Sequence, residues 1–303
     1  MSDFRKTRQG RRHGWFGLKK HVKRALAMRV PHAFLRALVK LRPSLRRGGR
    51  LPAPASLHEV AGRLDDARFV MLDPDRCEVA KELYWGAGRL PNPADAFALE
   101  LFAGLARKAD VMLDVGAYTG IFSLVSTLVN TSLNAQAFEM VPDIFELLTA
   151  NCARNGVSDR VTLHNVGVGD EGATMVVPAS SMDSALPSFY SSRMHFGSGV
   201  TVPFRSLDSI ADGIPSESRV VMKVDVEGTE NDVFRNGRAF LRTFKPDILC
   251  EVLHGVADPA ELQRLLEPQG YRFWLVRESG LERRKDITPD PSFRDWAFST
   301  HDL

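Results

Sequence analysis

The chain has 303 residues, 44% hydrophobic and 25% charged, with a formal net charge of +3, an ordinary globular composition with room for one large domain and appendages. Its three cysteines, Cys77, Cys152 and Cys250, are widely spaced and form no CxxC pair. They exclude a disulfide framework and a zinc knuckle, and fit a reducing, cytoplasmic setting.

The small net charge conceals an asymmetry. Residues 1–50 hold 16 Lys and Arg against one acid, Asp3, whereas the remainder carries 24 basic and 36 acidic residues. Within this basic arm Trp15, Leu18, Val22 and Leu26 recur at helical spacing, as do Phe34, Leu38, Leu41 and Leu45 beyond an expected break at Pro31. A basic amphipathic pattern of this kind suits an anionic membrane surface contacted peripherally. Charges interrupt every apolar run, which excludes a signal peptide or a spanning helix as the reading of the arm. A disordered tail, an RNA-binding arm and a helix packed on the acidic body are the competing readings.

The segment LPAPAS at 51–56 reads as a linker, followed by a small helix-and-strand lead-in from Leu57 to Val79. An amphipathic helix is expected within Asn92 to Asp110. The next stretch, VMLDVGAYTG (Val111 to Gly120), is an apolar strand that breaks into a glycine turn and opens a helix running from about Tyr118 to Val129. Asp114 stands at the carboxyl end of that strand, where open α/β sheets bind ligands, and the helix amides point at whatever lies over the turn. A second strand, Ala135 to Phe138, ends in Glu139, the position of a ribose-binding acid. Neither G-x-G-x-x-G nor G-x-x-x-x-G-K-[ST] is present, because Tyr118 replaces the middle glycine and no lysine follows Gly120. The turn therefore suits a cofactor without a pyrophosphate, such as S-adenosylmethionine.

The alternation continues with a helix over Ile144 to Asn155 and a strand over Val161 to Val168. An insert at 170–218, rich in Ser, Pro and Gly, contains the extended pieces MVVP and VTVPF and reads as a substrate lid or a surface hairpin. Then come a strand over Val220 to Val226, a helix over Asn231 to Thr243, a strand over Ile248 to Leu253, a helix over Pro259 to Leu266 and a strand over Tyr271 to Val276. Such alternation predicts a doubly wound, mostly parallel α/β sheet. In VVMKVDVEGTE, Asp225 and Glu227 share one face of an extended segment, where they could hold a divalent cation or take a proton from an attacking hydroxyl. Lys223 could neutralise them, and Glu230 would favour the positive N-terminus of the next helix. His254, in EVLHG, is a further candidate for the base.

Together these segments resemble the FkbM-type S-adenosylmethionine-dependent methyltransferases. DVGAYTG is similar to the family's DVGAN-x-G turn, FEMVPDIFELLTANCARNG to its E-P-x-x-x-x-x-x-L-x-x-N-x-x-x-N segment, FRSLDSI to its T-L-D element, and KVDVEGTE to its K-I-D-V-E-G-x-E signature. The resemblance covers roughly Tyr84 to His254 and implies a class I methyltransferase fold, with a seven-stranded sheet whose last strand is inserted antiparallel. That domain is expected at 92–303, behind a lead-in at 51–91, and the basic helical N-terminal arm at 1–50 is not part of the family pattern. It implies that Asp114, Gly116 and Gly120 surround the methionine end of the cofactor, Glu139 its ribose and Asp170 its adenine, with Asp225 and Glu227 at the methyl-transfer centre. Tyr118 stands where the family has Asn, a cofactor-binding position at which it would alter the cofactor contacts or shape the floor for an aromatic substrate, and Met140 and Val141 intervene before Pro142. The implied reaction is methylation of a hydroxyl on a sugar, lipid-linked or secondary-metabolite acceptor. The alternatives are a nucleic-acid methyltransferase that uses the arm on phosphates and a catalytically silent binding module. Little aromatic interleaving in the arm and no N-P-P-[FY] tetrapeptide weigh against nucleic acid.

Overall fold

The structure, a computed structural model, describes residue 22 and residues 25–42, 51–178, 199–254 and 258–303. Trp15, Leu18 and Leu45 of the arm, and residues 179–198 of the insert, lie outside the described residues. Helix α1 (Arg29–Leu41) precedes the hairpin of β1 (Glu59–Leu64) and β2 (Ala67–Leu72), and α2 (Glu78–Trp85) and α3 (Pro93–Ala106) lead to β3 (Val111–Val115). After it come α4 (Ile121–Val129), β4 (Asn134–Phe138), α5 (Pro142–Arg154), β5 (Val161–His164), β6 (Gly167–Val168), β7 (Thr174–Val177) and β8 (Val200–Arg205). The chain continues with α6 (Leu207–Ala211), β9 (Val220–Val224), α7 (Glu230–Arg235), α8 (Arg238–Phe244), β10 (Asp247–Glu251), α9 (Pro259–Leu266), β11 (Arg272–Val276), β12 (Leu281–Arg284) and β13 (Asp295–Ser299).

The main sheet has the order β12-β11-β13-β10-β9-β3-β4-β5. Neighbours from β10 to β5 pair in parallel, and β13 enters antiparallel between β10 and β11. All five residues of β9 are buried, which a strand covered on both faces requires. One core lies on each face. The first joins the hairpin, α2, α3 and α4, so the lead-in shares its core with the sheet. The second joins Met222, Val224, Phe234, Phe240 and Trp296.

Several expectations are corrected. The sheet has eight strands rather than seven, because Leu281–Arg284 adds an antiparallel edge strand to β11. The lead-in opens with a hairpin, turned at Asp65 in the left-handed region, before its helix. The strand expected over Val161 to Val168 divides: β5 stays in the main sheet, and β6 pairs with β8 in a separate three-stranded sheet with β7. The helix expected over Asn231 to Thr243 breaks at Asn236 and Gly237, where a Cβ on Gly237 would stand 2.7 Å from Leu207 Cδ1. The break expected at Pro31 falls just ahead of it, at Met28, whose extended backbone (ψ 151°) separates the helical residues 25–27 from α1. Pro31 lies in the first turn of α1, where a missing N–H costs no helical hydrogen bond.

Candidate active site

Strand β3 pairs with β4 on one side and β9 on the other, so the connections leave it in opposite directions and open a crevice at the strands' carboxyl ends. The cavity there is lined by Gly116 after β3, by Glu139, Met140 and Val141 after β4, and by Asp225, Val226, Glu227 and Thr229 after β9. Phe138, Val166, Val168 and Phe204 form an apolar wall. Phe204 belongs to β8, so the insert reaches the cavity through one aromatic ring.

The two glycine turns touch. A Cβ on Gly116, which has φ +79°, would lie 1.8 Å from the carbonyl oxygen of Asp225. Only a residue without a side chain lets the two turns close on each other. Gly120 does not line the cavity; a Cβ there would press on Leu148 of α5 at 2.4 Å, so this glycine seats helix on helix.

Asp114 is buried and turned onto α4, where its Oδ2 accepts from Ser123 N (3.1 Å) and Ser123 Oγ (2.6 Å). Burial pushes its carboxyl up to about 6. It braces the turn without lining the cavity. Glu139 does line it, although backbone amides hold both carboxylate oxygens: Tyr118 N donates to Oε2 at 3.0 Å and Val141 N to Oε1 at 2.8 Å. Burial, partly opposed by those amides, raises Glu139 to about 7. Tyr118, with φ +51°, packs beside Val141 and Ile144, and its hydroxyl accepts from Glu78 N at 3.2 Å. Its ring is committed to the protein, not to the floor of the cavity.

The two asparagines of the segment after Glu139 are structural. Asn151 accepts from Leu72 N and donates to Thr119 O, and Asn155 bonds Val70 through both its amide and its carbonyl. They tie α5 to the hairpin and to the glycine turn. Asp170 is exposed and accepts from Asn236 Nδ2, and His254 is exposed in a turn; neither lines the cavity. Glu230 is buried and its Oε1 accepts from Gly228 N, which stabilises the turn ahead of α7.

At the far end of the crevice a charge cluster forms that sequence reading only half identified. Lys223 is buried, with Nζ 3.4 Å from Asp225 Oδ2 and 3.6 Å from Asp295 Oδ1. Arg294 Nε lies 3.0 Å from Glu251 Oε1, and its NH2 group 3.9 Å from Asp95. Glu251, Asp295, Arg294 and Asp95 are the residues that went unread. Glu251 carried one signal, an acid inside the apolar strand ILCEVL. Parallel pairing of Cys250 with Val224 sets it beside Asp225.

The electrostatics separate three carboxyls. Burial is the strongest influence on Asp225 and acts upward, but Lys223, a hydrogen bond from Glu251 and Arg294 together hold it below the ordinary carboxylate range. Burial, reinforced by the charge on Asp225, keeps Glu251 well above that range, so the two carboxyls share one proton. Burial and the Asp225 charge also lift Glu227 to about 7. Glu227 adopts φ +54°, a left-handed conformation that non-glycine residues rarely take and that clusters at functional sites. One oxygen each of Asp225, Glu227 and Glu251 lie within 4.8 Å of one another, a set of oxygen donors for a hard cation. Lys223 and Arg294 already engage two of the three.

The donor set of the cavity fits S-adenosylmethionine. Its apolar wall suits a flat heterocycle, Glu139 a ribose diol, and the acids at the other end a cationic sulfonium and amine.

The family model described as Methyltransferase FkbM domain matches residues 114–273. No curated protein matches the chain. Among solved structures, the chain is similar to methyltransferase FkbM from Methylobacillus flagellatus KT at 21% identity and a TM-score of 0.44. That likeness covers 63% of this chain and 43% of that one, so less than half of the longer protein is spanned. Precorrin-6y C5,15-methyltransferase from Geobacter metallireducens GS-15 matches at 13% identity and a TM-score of 0.38, over 67% of this chain and 87% of that one. Ribosomal protein L11 methylase from Lactobacillus delbrueckii subsp. bulgaricus matches at 11% and 0.34, over 65% and 76%.

Proposed function

We infer the reaction from one premise: the chain belongs to the FkbM methyltransferase family. We propose that it is an S-adenosylmethionine-dependent O-methyltransferase acting on a hydroxyl of a sugar, lipid-linked or secondary-metabolite acceptor. The observation that carries this reading is the meeting of Gly116, Glu139, Asp225 and Glu227 in one cavity at the carboxyl ends of three parallel strands.

S-adenosylmethionine supplies an activated methyl group with a neutral thioether leaving group when bound. Gly116 and Glu139 would hold its methionine and ribose portions, and the wall of Val166, Val168 and Phe204 its adenine. The protein's own work is placement of the acceptor and removal of its proton, because alignment of reacting groups supplies much of the acceleration in such a transfer. Glu227 is the group suited to accept that proton. It lines the cavity and titrates near neutrality, where a general base is most effective. Asp225, paired with Lys223 and sharing a proton with Glu251, is a weaker base and keeps Glu227 elevated through its negative charge.

This reading places the protein in the cytoplasm, in keeping with three free, buried cysteines. Calorimetry with S-adenosylmethionine tests it. The wild type is expected to bind, and Glu139→Ala to lose roughly 10- to 100-fold in affinity, the worth of one hydrogen bond to a charged group. A thermal melt of the variant checks that the turn held by Tyr118 N and Val141 N still folds. Equal affinities would remove Glu139 from the cofactor site, and no binding by the wild type would remove the cofactor.

A further inference from the structure

The arm leaves an unclaimed surface on α1. One stripe of this helix docks on the body: Leu35 and Val39 are buried against Trp85, and His32 Nε2 meets Tyr84 Oη at 2.9 Å. Ala55 N donates to Ala27 O, and Trp85 Nε1 to Leu51 O, so the chain on either side of α1 is fastened as well. The helix is therefore clamped to α2 with a fixed rotation.

Its outer face is apolar too. Phe34, Leu38 and Leu41, spaced i, i+4 and i+7, are 73%, 40% and 82% exposed. With Met28 and Val22 just before the helix, this short segment contains five of the eight exposed large hydrophobic residues among those described. Such clustering marks a contact site, since exposed apolar residues on a soluble surface are otherwise scattered. Arg42 is exposed beside the stripe, Arg36 is exposed on the side of His32 and Tyr84, and no acid occurs between Asp3 and Glu59.

We propose that the outer face of α1 lies in the plane of an anionic lipid bilayer, with Phe34, Leu38 and Leu41 in the acyl boundary and Arg42 among the headgroups. A helix of this length extends about 20 Å along such a surface. A bilayer matches both halves of the patch, apolar within and negatively charged at its face. A nucleic acid matches only the charge, since phosphate contacts have no use for a Phe-Leu-Leu stripe. Among the described residues no helix is long and apolar enough to cross a membrane, so the contact is with one leaflet. The helix α2 that carries α1 also touches the cofactor turn: Glu78 N donates to Tyr118 Oη, and Cys77 Sγ lies 3.2 Å from Thr119 Oγ1. One short helix thus joins the membrane-facing surface to the glycine turn. The surface is independent of the reaction proposed above.

Flotation of the full chain tests the proposal, using vesicles of phosphatidylcholine with and without phosphatidylglycerol. The wild type is expected to float with the anionic vesicles only, and to lose flotation at high salt as the electrostatic part is screened. The triple variant Phe34→Ser, Leu38→Ser, Leu41→Ser keeps every charge and changes only exposed side chains. It is expected to stay at the bottom of the gradient while its thermal melt and its S-adenosylmethionine binding match the wild type. Flotation of the variant equal to the wild type overturns the assignment of the face, and a wild type that never floats overturns the lipid. Binding of single-stranded RNA by both proteins without flotation of either would make nucleic acid the partner instead.

Discussion

Replacing Glu227 by Gln is expected to lower turnover by about 10²- to 10⁴-fold, the usual contribution of a positioned general base, while S-adenosylmethionine binding persists. The expectation rests on three features of one residue: its place in the cavity wall, its left-handed backbone and its carboxyl raised to about 7 by burial and by the charge on Asp225. Only the deprotonated form can accept the acceptor's proton. Activity of the wild type should therefore rise with pH as Glu227 ionises near 7 and level off above it. Asp225→Asn removes the neighbouring negative charge, which makes Glu227 easier to ionise. Its profile should shift to lower pH, with a smaller loss of rate than Glu227→Gln. The measurement is transfer of radiolabelled methyl groups to a hydroxyl-bearing acceptor across pH. Unchanged turnover in Glu227→Gln, or an acid limb that Asp225→Asn leaves in place, would assign the proton to another group.

Gly116→Ala is expected to abolish cofactor binding and to destabilise the fold by about 2–5 kcal/mol. The left-handed backbone accounts for about 1–2 kcal/mol of that. Overpacking against a backbone carbonyl adds about 1–3 kcal/mol, because Asp225 O cannot rotate away as a side chain would. Gly156→Ala isolates the first contribution. Gly156 has φ +65° and no atom within 4 Å of an added Cβ, so that variant should show the strain alone and bind S-adenosylmethionine normally. Thermal melts and calorimetry of the two proteins decide the matter. Equal melting losses would mean that contact between the turns is not what requires glycine at 116.

The pair of predictions also shows where local sequence stops informing the site. Gly116 and Glu227 are both legible in short motifs, since each sits where an apolar strand gives way to a glycine turn. That the two turns abut is not legible, because it depends on β3 and β9 becoming neighbours although more than a hundred residues separate them. The packing of Tyr118 is likewise a tertiary matter, since its ring lies beside Val141 and Ile144, which follow the next strand.

What the sequence alone determined is the strand-turn-helix unit at Val111 to Val129, the acid after β4, the carboxylate turn after β9, the mostly parallel α/β class and the family. Each depends on runs of about five apolar residues and on glycines at fixed offsets, which are local properties of the chain. Tertiary structure alone decided the eighth strand, the division of Val161 to Val168 between two sheets, the buried stripe of α1 and the charge cluster around Asp225. Glu251 and Asp295 reach that cluster from β10 and β13, Arg294 from the residue before β13 and Asp95 from α3, and only sheet register and helix packing bring them together. Charges so far apart in sequence can shift one another's protonation only after folding removes the water between them.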